Sequence, residues 1–383
     1  MEIRHISYFD EFICKGAECP ETCCRGWLIP LEPEDIERYS EEKGLMKARL
    51  MLAMSEHSIP VFNSSCGECT FHDRSGLCSL QVKRGHDFIP ETCRNYPRFY
   101  RNYGSFEEAY LDPSCIEAAD MLVSHVGELY LESATGDPDC DKTITNDDEH
   151  MLERLLNIRS DMLSALSRVT GLNDLASVLN AIDRYAKKLQ DAYLHGEEDY
   201  SDKTPFSCGI LDAPDSEASE TNDGDRIFPL KADEIESLTQ TSIYHVRLKK
   251  KNPRLYRLFS LYFNKYRQDL ASENRWKKEY TSFCLEHPEI IPCYAAYYSH
   301  YLYQYWLRIW EDYSFVRHAR VGIIHLSMLL LLSIVYEKEH HSITPSELAH
   351  IIAVYNRRAF FSDELTDSMY RVLDGRSGIT FTD

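Results

Sequence analysis

The sequence lacks the features that mark an exported or membrane-spanning chain. Its first residues, MEIRHISYFDEF, hold neither the apolar core nor the small-residue cleavage site of a signal peptide. The longest apolar run, Val321 to Tyr336, has 16 residues and includes His325, whereas a membrane span needs about 20. We therefore expect a cytoplasmic protein without membrane contacts, and a buried core helix at this run.

Basic charge is also scarce. The chain has 62 acidic side chains against 42 basic ones, which gives a formal net charge of −20. A protein that binds nucleic acid through its phosphates needs a basic face, so we expect no nucleic-acid partner. The field of an acidic protein instead attracts cationic partners, including protein segments that carry lysine.

Two familiar cofactor motifs are missing. The sequence has no GxGxxG segment, so a Rossmann-type methyltransferase or dehydrogenase is not supported. The C-x3-C-x2-C motif of enzymes that cleave S-adenosylmethionine at an iron–sulfur cluster is absent as well. Cys19 and Cys23 have the first spacing of that motif, but Gly26 stands at its third position.

Cysteine, by contrast, is abundant and unevenly distributed. The chain has 13 cysteines, which in the absence of an export signal are not expected to form a disulfide framework. Nine fall in the first 115 residues: Cys14, Cys19, Cys23, Cys24, Cys66, Cys69, Cys78, Cys93 and Cys115. The others are scattered, and we interpret them as ordinary buried small side chains: Cys140, Cys208, Cys284 and Cys293.

The spacing of the N-terminal cysteines indicates a metal centre. The array reads C-x4-C-x3-C-C and then C-x2-C-x8-C-x14-C, and thiolates select zinc, copper(I) or iron–sulfur clusters. Structural zinc usually takes paired CxxC segments, of which Cys66 and Cys69 form one. An iron–sulfur cluster accepts irregular spacings, and the number of sites stays open. The predicted metal ligands are Cys14, Cys19, Cys23, Cys24, Cys66, Cys69, Cys78 and Cys93.

Arginine residues crowd around the last predicted ligand. Arg94, Arg98 and Arg101 follow Cys93 in the segment IPETCRNYPRFYRN, and guanidinium groups pair well with carboxylates. Arg94 and Arg98 are therefore candidates for binding the carboxylate of an amino-acid-like cofactor. The alternative is that they balance the charge of an anionic thiolate site or form surface salt bridges. The sequence singles out no catalytic residue.

Composition and periodicity predict a mainly α fold with three regions. Residues 1–130 are expected to form a loop-rich, cysteine-rich metal or iron–sulfur domain with few strands. Residues 131–226 form a helical middle segment with an acidic loop, and residues 227–383 form an aromatic-rich helical domain. Within these, residues 136–148 are expected to be a surface loop, and the acidic, turn-rich end of residues 196–226 a mobile linker or an exposed loop.

Local signals also predict the ends of individual helices. A helical segment is expected over Pro33 to Ala53, because Pro33 followed by acidic residues is typical of a first helical turn. Helical spacing over His150 to Tyr193 is interrupted by VTGLND. We expect Gly171 to end the first helix there, and Asn173 or Asp174 to cap the second.

Aromatic side chains recur at helical spacing in the C-terminal part. Such a stripe usually packs in the core, although it could also stack an adenine ring or line a lysine channel through cation–π contacts. We favour the core, and we interpret His300 and His318 as structural residues. The stripe consists of Tyr294, Tyr297, Tyr298, Tyr301, Tyr305, Trp306 and Trp310.

Two cysteine-bearing blocks resemble a known family. FICKGAECPETCCRGWLIPLEPEDIERY resembles the opening of the flagellin lysine N-methylase family, which belongs with the zinc- or iron-chelating cysteine-cluster proteins. CGECTFHDRSGLCSLQVKRGHDFIPETCRNYPR is similar to that family's next signature. YAAYYSHYLYQYWLR and YNRRAFFSDELTDSMYRVL resemble its helical C-terminal region more loosely.

The resemblance implies an enzyme that transfers a methyl group from S-adenosylmethionine to lysine side chains of flagellin or a similar surface protein. It implies a [4Fe–4S] cluster as cofactor, with the eight predicted ligands at family cysteine positions and Cys115 matching less surely. Transfer could be direct, which requires a neutral lysine amine, or it could use radical chemistry at the cluster. The alternative function is a zinc-binding interaction protein without catalysis.

Overall fold

The structure is a computed structural model, and it describes most of the chain. Cys66, Cys140 and Cys208 lie outside the described residues, as do residues 136–145 of the predicted surface loop and residues 197–226 of the predicted linker. The described residues are 2–56, 59–65, 67–127, 131–135, 146–196, 228–243, 248–360 and 363–377.

The first 135 residues contain more strand than their sequence pattern predicts. Strands of two to six residues are too short for a period-two alternation to stand out. Within the described ranges the strands are β1 (Glu2–Ile6), β2 (Ile29–Pro30), β3 (Met54–Glu56), β4 (Pro60–Phe62), β5 (Ser64–Ser65), β6 (Glu68–Cys69), β7 (Arg98–Asn102), β8 (Phe106–Leu111) and β9 (Leu131–Thr135).

Strand β1 lies inside the largest sheet, which has the order β7-β8-β1-β9. It pairs in parallel with β8, where Glu2 lies opposite Phe106, and antiparallel with β9. Strands β7 and β8 form an antiparallel hairpin in which the Gly104 N–H donates to Asn102 Oδ1. The smaller sheets, β2-β4-β3 and β5-β6, lie in the segment that carries most of the cysteines.

The fold is mainly α, as predicted. Helices make up most of the chain after residue 145 and occur in short pieces before it. The described helices are α1 (Pro33–Ser40), α2 (Gly44–Ala53), α3 (Ser79–Arg84), α4 (Glu91–Asn95), α5 (Ile116–Ser124), α6 (Asn146–Leu166), α7 (Leu172–Leu194), α8 (Ala232–Ile243), α9 (Leu248–Lys251), α10 (Pro253–Leu261), α11 (Arg267–Leu270), α12 (Glu273–Glu286), α13 (Ile291–Tyr305), α14 (Ile309–Asp312), α15 (Phe315–His340), α16 (Pro345–Ala359) and α17 (Asp363–Ser377).

Helices α1 and α2 replace the single helical segment expected over this stretch. Pro33 lies in the first turn of α1, and Glu32 and Asp35 form a capping box there, so the predicted start is confirmed. Gly44 has a φ of +63°, a conformation that interrupts a right-handed helix and that glycine adopts without steric cost. The two helices therefore meet at a break just before Gly44.

The predicted interruption between α6 and α7 is confirmed, but the role expected for Gly171 is wrong. Helix α6 ends at Leu166, and Gly171 is instead the N-cap of α7. Asp174 accepts hydrogen bonds from the backbone N–H groups of Thr170 and Gly171. Asp174 thus supports the start of α7 from its third position and is not itself the N-cap.

Two separate groups of buried apolar side chains hold the described chain together. The larger one joins the β7-β8-β1-β9 sheet to the helices from α5 onward and contains Ile6, Leu111 and Ile116. The smaller one lies among the cysteine loops, where Cys69, Cys78 and Cys93 pack against it. Its buried members are Ile29, Leu31, Tyr39, Leu50, Ala53, Phe62, Phe71, Leu80 and Ile89. The domain boundaries suggested by the sequence stay predictions.

Helix α15 passes through the larger core. Among the described residues it is the helix long and apolar enough to span a membrane, but 89% of its most apolar stretch is buried inside the protein. The expectation of a core helix over Val321 to Tyr336 is therefore confirmed. Most of the aromatic stripe is core as well, since Tyr294, Tyr298 and Trp306 are fully buried, whereas Tyr305 and Trp310 are partly buried against it.

Ion pairs are buried at two points where elements meet. Arg159 of α6 binds both carboxylate oxygens of Glu108 on β8 and also donates to the Tyr303 carbonyl at 3.0 Å. Arg320 of α15 pairs with Asp183 of α7. A buried charge is strongly destabilising when its partner is removed. The first ion pair therefore holds the sheet against the helical core, and the second holds α7 against it.

Gly322 on α15 permits a close contact with α13 in this core. A Cβ atom at Gly322 would lie 2.4 Å from the Tyr301 ring and 2.6 Å from the Tyr298 ring. We predict that Gly322→Ala lowers the free energy of unfolding by about 1–3 kcal/mol, because both rings are packed too tightly to move aside. Denaturant unfolding followed by circular dichroism measures this. Lys188→Ala, on the exposed side of α7, is the control, and an equal effect of both changes would contradict the prediction.

Candidate metal centre

The cysteine loops enclose a cavity of about 260 Å³. Its walls come from the segments around β2, α3 and α4, from the start of α5, and from α16 in the C-terminal part of the chain. Eight cysteines line it: Cys14, Cys19, Cys23, Cys24, Cys69, Cys78, Cys93 and Cys115. Seven of the predicted ligands are thus brought together, while Cys66 lies outside the described residues.

Short turns and helix starts position these sulfur atoms. Cys14 and Cys19 flank a single 3-10 turn, Gly16–Glu18. Cys78 and Cys115 are the N-cap residues of α3 and α5. Such termini leave backbone N–H groups without helical partners, and these groups are available to sulfur.

Glycine allows the loops to approach another part of the chain closely. Gly26 and Gly67 have φ values of +101° and +89°, which only glycine adopts readily. A Cβ at Gly67 would lie 2.9 Å from the Lys250 carbonyl oxygen, and one at Gly26 would lie 3.1 Å from that of Lys251. The end of α9 therefore packs directly on the backbone beside the cysteines.

Backbone N–H groups lie near several of the cavity sulfur atoms. The Gly16 N–H donates to Cys14 Sγ at 3.4 Å, and the Glu21 backbone opposes the rise in the pKa of Cys19 that burial causes. The backbone opposes the effect of burial on the pKa in the same way at Cys69, through Phe71 and His72, at Cys78, through Leu80 and Gln81, and at Cys115, through Glu117 and Ala118. The buried Cys293 outside the cavity instead donates to the Glu289 carbonyl. An N–H group close to a sulfur atom stabilises its thiolate form. The thiolate is the form that binds metal.

Burial opposes ionisation of these thiols when no cation is bound. It raises the pKa of Cys69 and of Cys115 to about 11 each. The pKa of Cys93 is also raised, first by burial and then by the neighbouring thiols Cys24, Cys69 and Cys78. Cys24 is the exception, because the Cys23 thiol donates to its sulfur and lowers its pKa. A bound metal cation would offset the cost of ionising the set.

Two observations test how well the residues suit a metal. No three His, Cys, Asp or Glu side chains within the described ranges are close enough together to hold an ion as they stand. The donors themselves are suitable, since soft thiols dominate and their loops supply N–H groups to sulfur. His72 adds a buried Nε2 without a hydrogen-bond partner, close enough to Cys24 to lower its pKa. The donor types therefore suit a thiolate-bound metal or cluster, although no three of the described ones are grouped around one point in this structure.

Arg357, on α16, is a residue of this site that the sequence pattern did not single out. Its guanidinium donates to the carbonyls of Glu21, Thr22 and Ser114 and forms an ion pair with Glu21 at 3.5 Å. Its side chain is 11% exposed, and its charge lowers the pKa of Cys19, among other thiols. The residue lies more than 240 positions from the cysteine loops, so no local motif connects them.

Arg94 and Arg98 line the same cavity, but both already have partners. Arg94 donates to the Asp87 carbonyl at 2.8 Å. Arg98 donates to the Phe12 carbonyl at 3.0 Å and stacks over the Phe12 ring. Their expected role in binding a cofactor carboxylate stays a prediction.

Aromatic residues close one side of the cavity. Trp27 packs against Tyr96 with ring centroids 5.3 Å apart, and both line the cavity. The Tyr96 hydroxyl lies 3.0 Å from Ser114 Oγ. His300 binds Gln304 and His318 binds Asp312, and neither histidine lines the cavity.

Fold and site together describe a mainly helical protein with a thiol-lined cavity near its N-terminal sheets. The chain is similar to two lysine-N-methylases, from Salmonella typhimurium (strain LT2) and Salmonella choleraesuis (strain SC-B67). Each is 24% identical to it over 144 residues, which is 35% of this chain and 35% of the relative. The flagellar biosynthetic protein FliU of Salmonella muenchen is 24% identical over 133 residues, which is 32% of this chain and 77% of that protein.

These matches indicate a distant relationship to lysine-N-methylases. The matched region spans about a third of the length of those enzymes. No protein-family model matches the chain, and no solved structure matches it.

Arg357 should stabilise the cysteine loops even in the metal-free protein. We predict that Arg357→Gln lowers the free energy of unfolding by about 2–5 kcal/mol, because three carbonyls lose a charged donor and the partly buried Glu21 carboxylate keeps only its ion pair with Arg254. Denaturant unfolding of the metal-free protein measures the change. The control is Arg308→Gln, since Arg308 is 40% exposed and binds Glu311 at the surface. A loss below about 0.5 kcal/mol at Arg357 would contradict the prediction.

Proposed function

We propose that the chain is a protein-lysine N-methyltransferase that uses S-adenosylmethionine and holds an iron–sulfur cluster in the thiol cavity. The similarity to lysine-N-methylases carries this proposal. The cavity supports it, because its cysteines are the donor type that such clusters need. The protein substrate is flagellin or a similar surface protein with accessible lysine side chains.

The methyl transfer that we propose is a direct displacement. The lone pair of the lysine Nζ forms a bond to the methyl carbon of the sulfonium, and the carbon–sulfur bond breaks. The sulfur keeps the electron pair and leaves as a thioether, while one proton leaves the methylated nitrogen. The atoms and electrons of this step balance, so it needs no reductant. It requires a neutral amine, so the enzyme must lower the pKa of the lysine below its ordinary value of about 10.4.

The residues of the cavity have definable roles in this proposal. The cysteines hold the cluster, which when bound supplies Lewis-acidic iron and one-electron chemistry. Arg357 neutralises part of the thiolate charge and holds the loops on either side in place. Trp27 and Tyr96 exclude water from one wall.

The test is anaerobic purification followed by a methylation assay. We expect about four irons per chain with matching sulfide, a visible spectrum that bleaches on reduction, and a mass increase on flagellin lysines with S-adenosylmethionine. The variant Cys69→Ser/Cys78→Ser/Cys93→Ser should lose both the iron and the methylation. The variant Cys284→Ala/Cys293→Ala is the control, because these buried thiols lie outside the cavity.

Other outcomes would count against this function. Bound zinc without iron, together with no methyl transfer, would favour a zinc-stabilised interaction protein. Full methylation by the triple serine variant would show that the cavity thiols do not serve the reaction.

A further inference from the structure

We propose that a slot between α6 and α13 binds a small uncharged ligand with a saturated chain and one hydrogen-bonding head group. The slot has a volume of about 320 Å³ and is bounded by α6, by α13 and by the end of α5. A medium-chain alcohol, ester or amide has this chemistry. The proposal does not rest on methyl transfer, because the slot and the thiol cavity have no lining residue in common.

The slot follows one face of α6. Its lining residues there recur at helical spacing from Leu156 to Ser167, a stretch of about 16 Å along the helix axis. Ala296 and Ser299 line it from α13, and such small side chains leave space that larger ones would fill. The volume is within the range of about 300–1,000 Å³ that is typical of small-molecule sites.

Ser299 supplies a buried polar group that has no partner. It is 5% exposed and lines the slot, yet its hydroxyl forms no hydrogen bond within the part of the chain that the structure describes. The buried serines of α15 differ, since Ser327 donates to the Ile323 carbonyl and Ser333 to the Leu329 carbonyl. Buried hydroxyls are nearly always hydrogen-bonded, so Ser299 indicates a ligand with a hydroxyl or carbonyl group.

The walls of the slot are mainly aliphatic. Leu122, Leu156 and Leu163 come from α5 and α6, and the described residues that line the slot include no Phe, Tyr or Trp. A nucleobase is commonly bound by stacking on aromatic side chains, and this slot offers none. Aliphatic walls instead favour a saturated chain, which gains free energy by leaving water.

The charged groups that line the slot already have partners. Arg159 binds both carboxylate oxygens of Glu108. In His125, Nδ1 lies 2.8 Å from the Met121 carbonyl oxygen, and Nε2 lies 3.7 Å from the Glu11 carboxylate. A charged ligand would lose its hydration here without gaining a free opposite charge, so the slot favours an uncharged one.

Calorimetric titration with n-octanol tests the site in the full chain. We expect saturable binding of one n-octanol per chain. Shortening the probe to n-butanol should weaken binding about fourfold for each methylene removed. Octanoate and octylammonium should bind more weakly than n-octanol by about tenfold or more, because each carries a charge that the slot does not compensate.

Two variants locate the site. Ser299→Ala should weaken n-octanol binding by about two- to tenfold, the effect of losing one hydrogen bond, whereas the control Ser333→Ala, outside the slot, should leave it unchanged. Ser164→Phe should abolish saturable binding, because Ser164 lines the slot and the added ring would occupy it. Ser282→Phe, on the exposed side of α12, is the control for this change.

Each part of the proposal has a result that would overturn it. Binding without saturation, or equally tight binding to the folded Ser164→Phe variant, would overturn the site. Equal or tighter binding of octanoate or octylammonium would overturn the uncharged ligand, and displacement of n-octanol by adenosine would overturn the saturated one. If circular dichroism shows that Ser164→Phe does not fold, Ser299→Ala decides, and an unchanged affinity there would overturn the proposal.

Discussion

The free-energy cost of ionising several thiols in one apolar cavity is the constraint on which the N-terminal part of the chain depends. Burial raises the pKa of most cavity cysteines. Backbone N–H groups of the loops partly oppose this rise in pKa, and α16 contributes the buried positive charge of Arg357. A bound metal cation would offset the remaining free-energy cost of ionising the thiols.

The helical part of the molecule is needed to hold this site. Glu21, in the loop between Cys19 and Cys23, pairs with Arg254 of α10 at 2.7 Å and with Arg357 of α16 at 3.5 Å. Cys115 begins α5, which packs in the larger core through Ile116 and Ala119. The position of one cavity wall is therefore set by the packing of helices that are distant in sequence.

The methyltransferase proposal has two separate bases. One is a distant relationship that covers about a third of the chain. The other is the cavity, which gathers thiols from loops far apart in sequence, and thiols are the donor type that an iron–sulfur cluster needs.

The sequence by itself determined the helical class, the break before α7 and the presence of a thiol-rich segment, because these depend on local periodicity and on residue type. It did not reveal the short strands, whose two to six residues are too few to show alternation. It did not reveal Arg357 or His72 as neighbours of the thiols either. Cys115 matched the cysteine positions of the resembled family less surely than the eight predicted ligands did. Only the tertiary structure decided these, because long-range packing brings α16 and the start of α5 to loops far away in sequence.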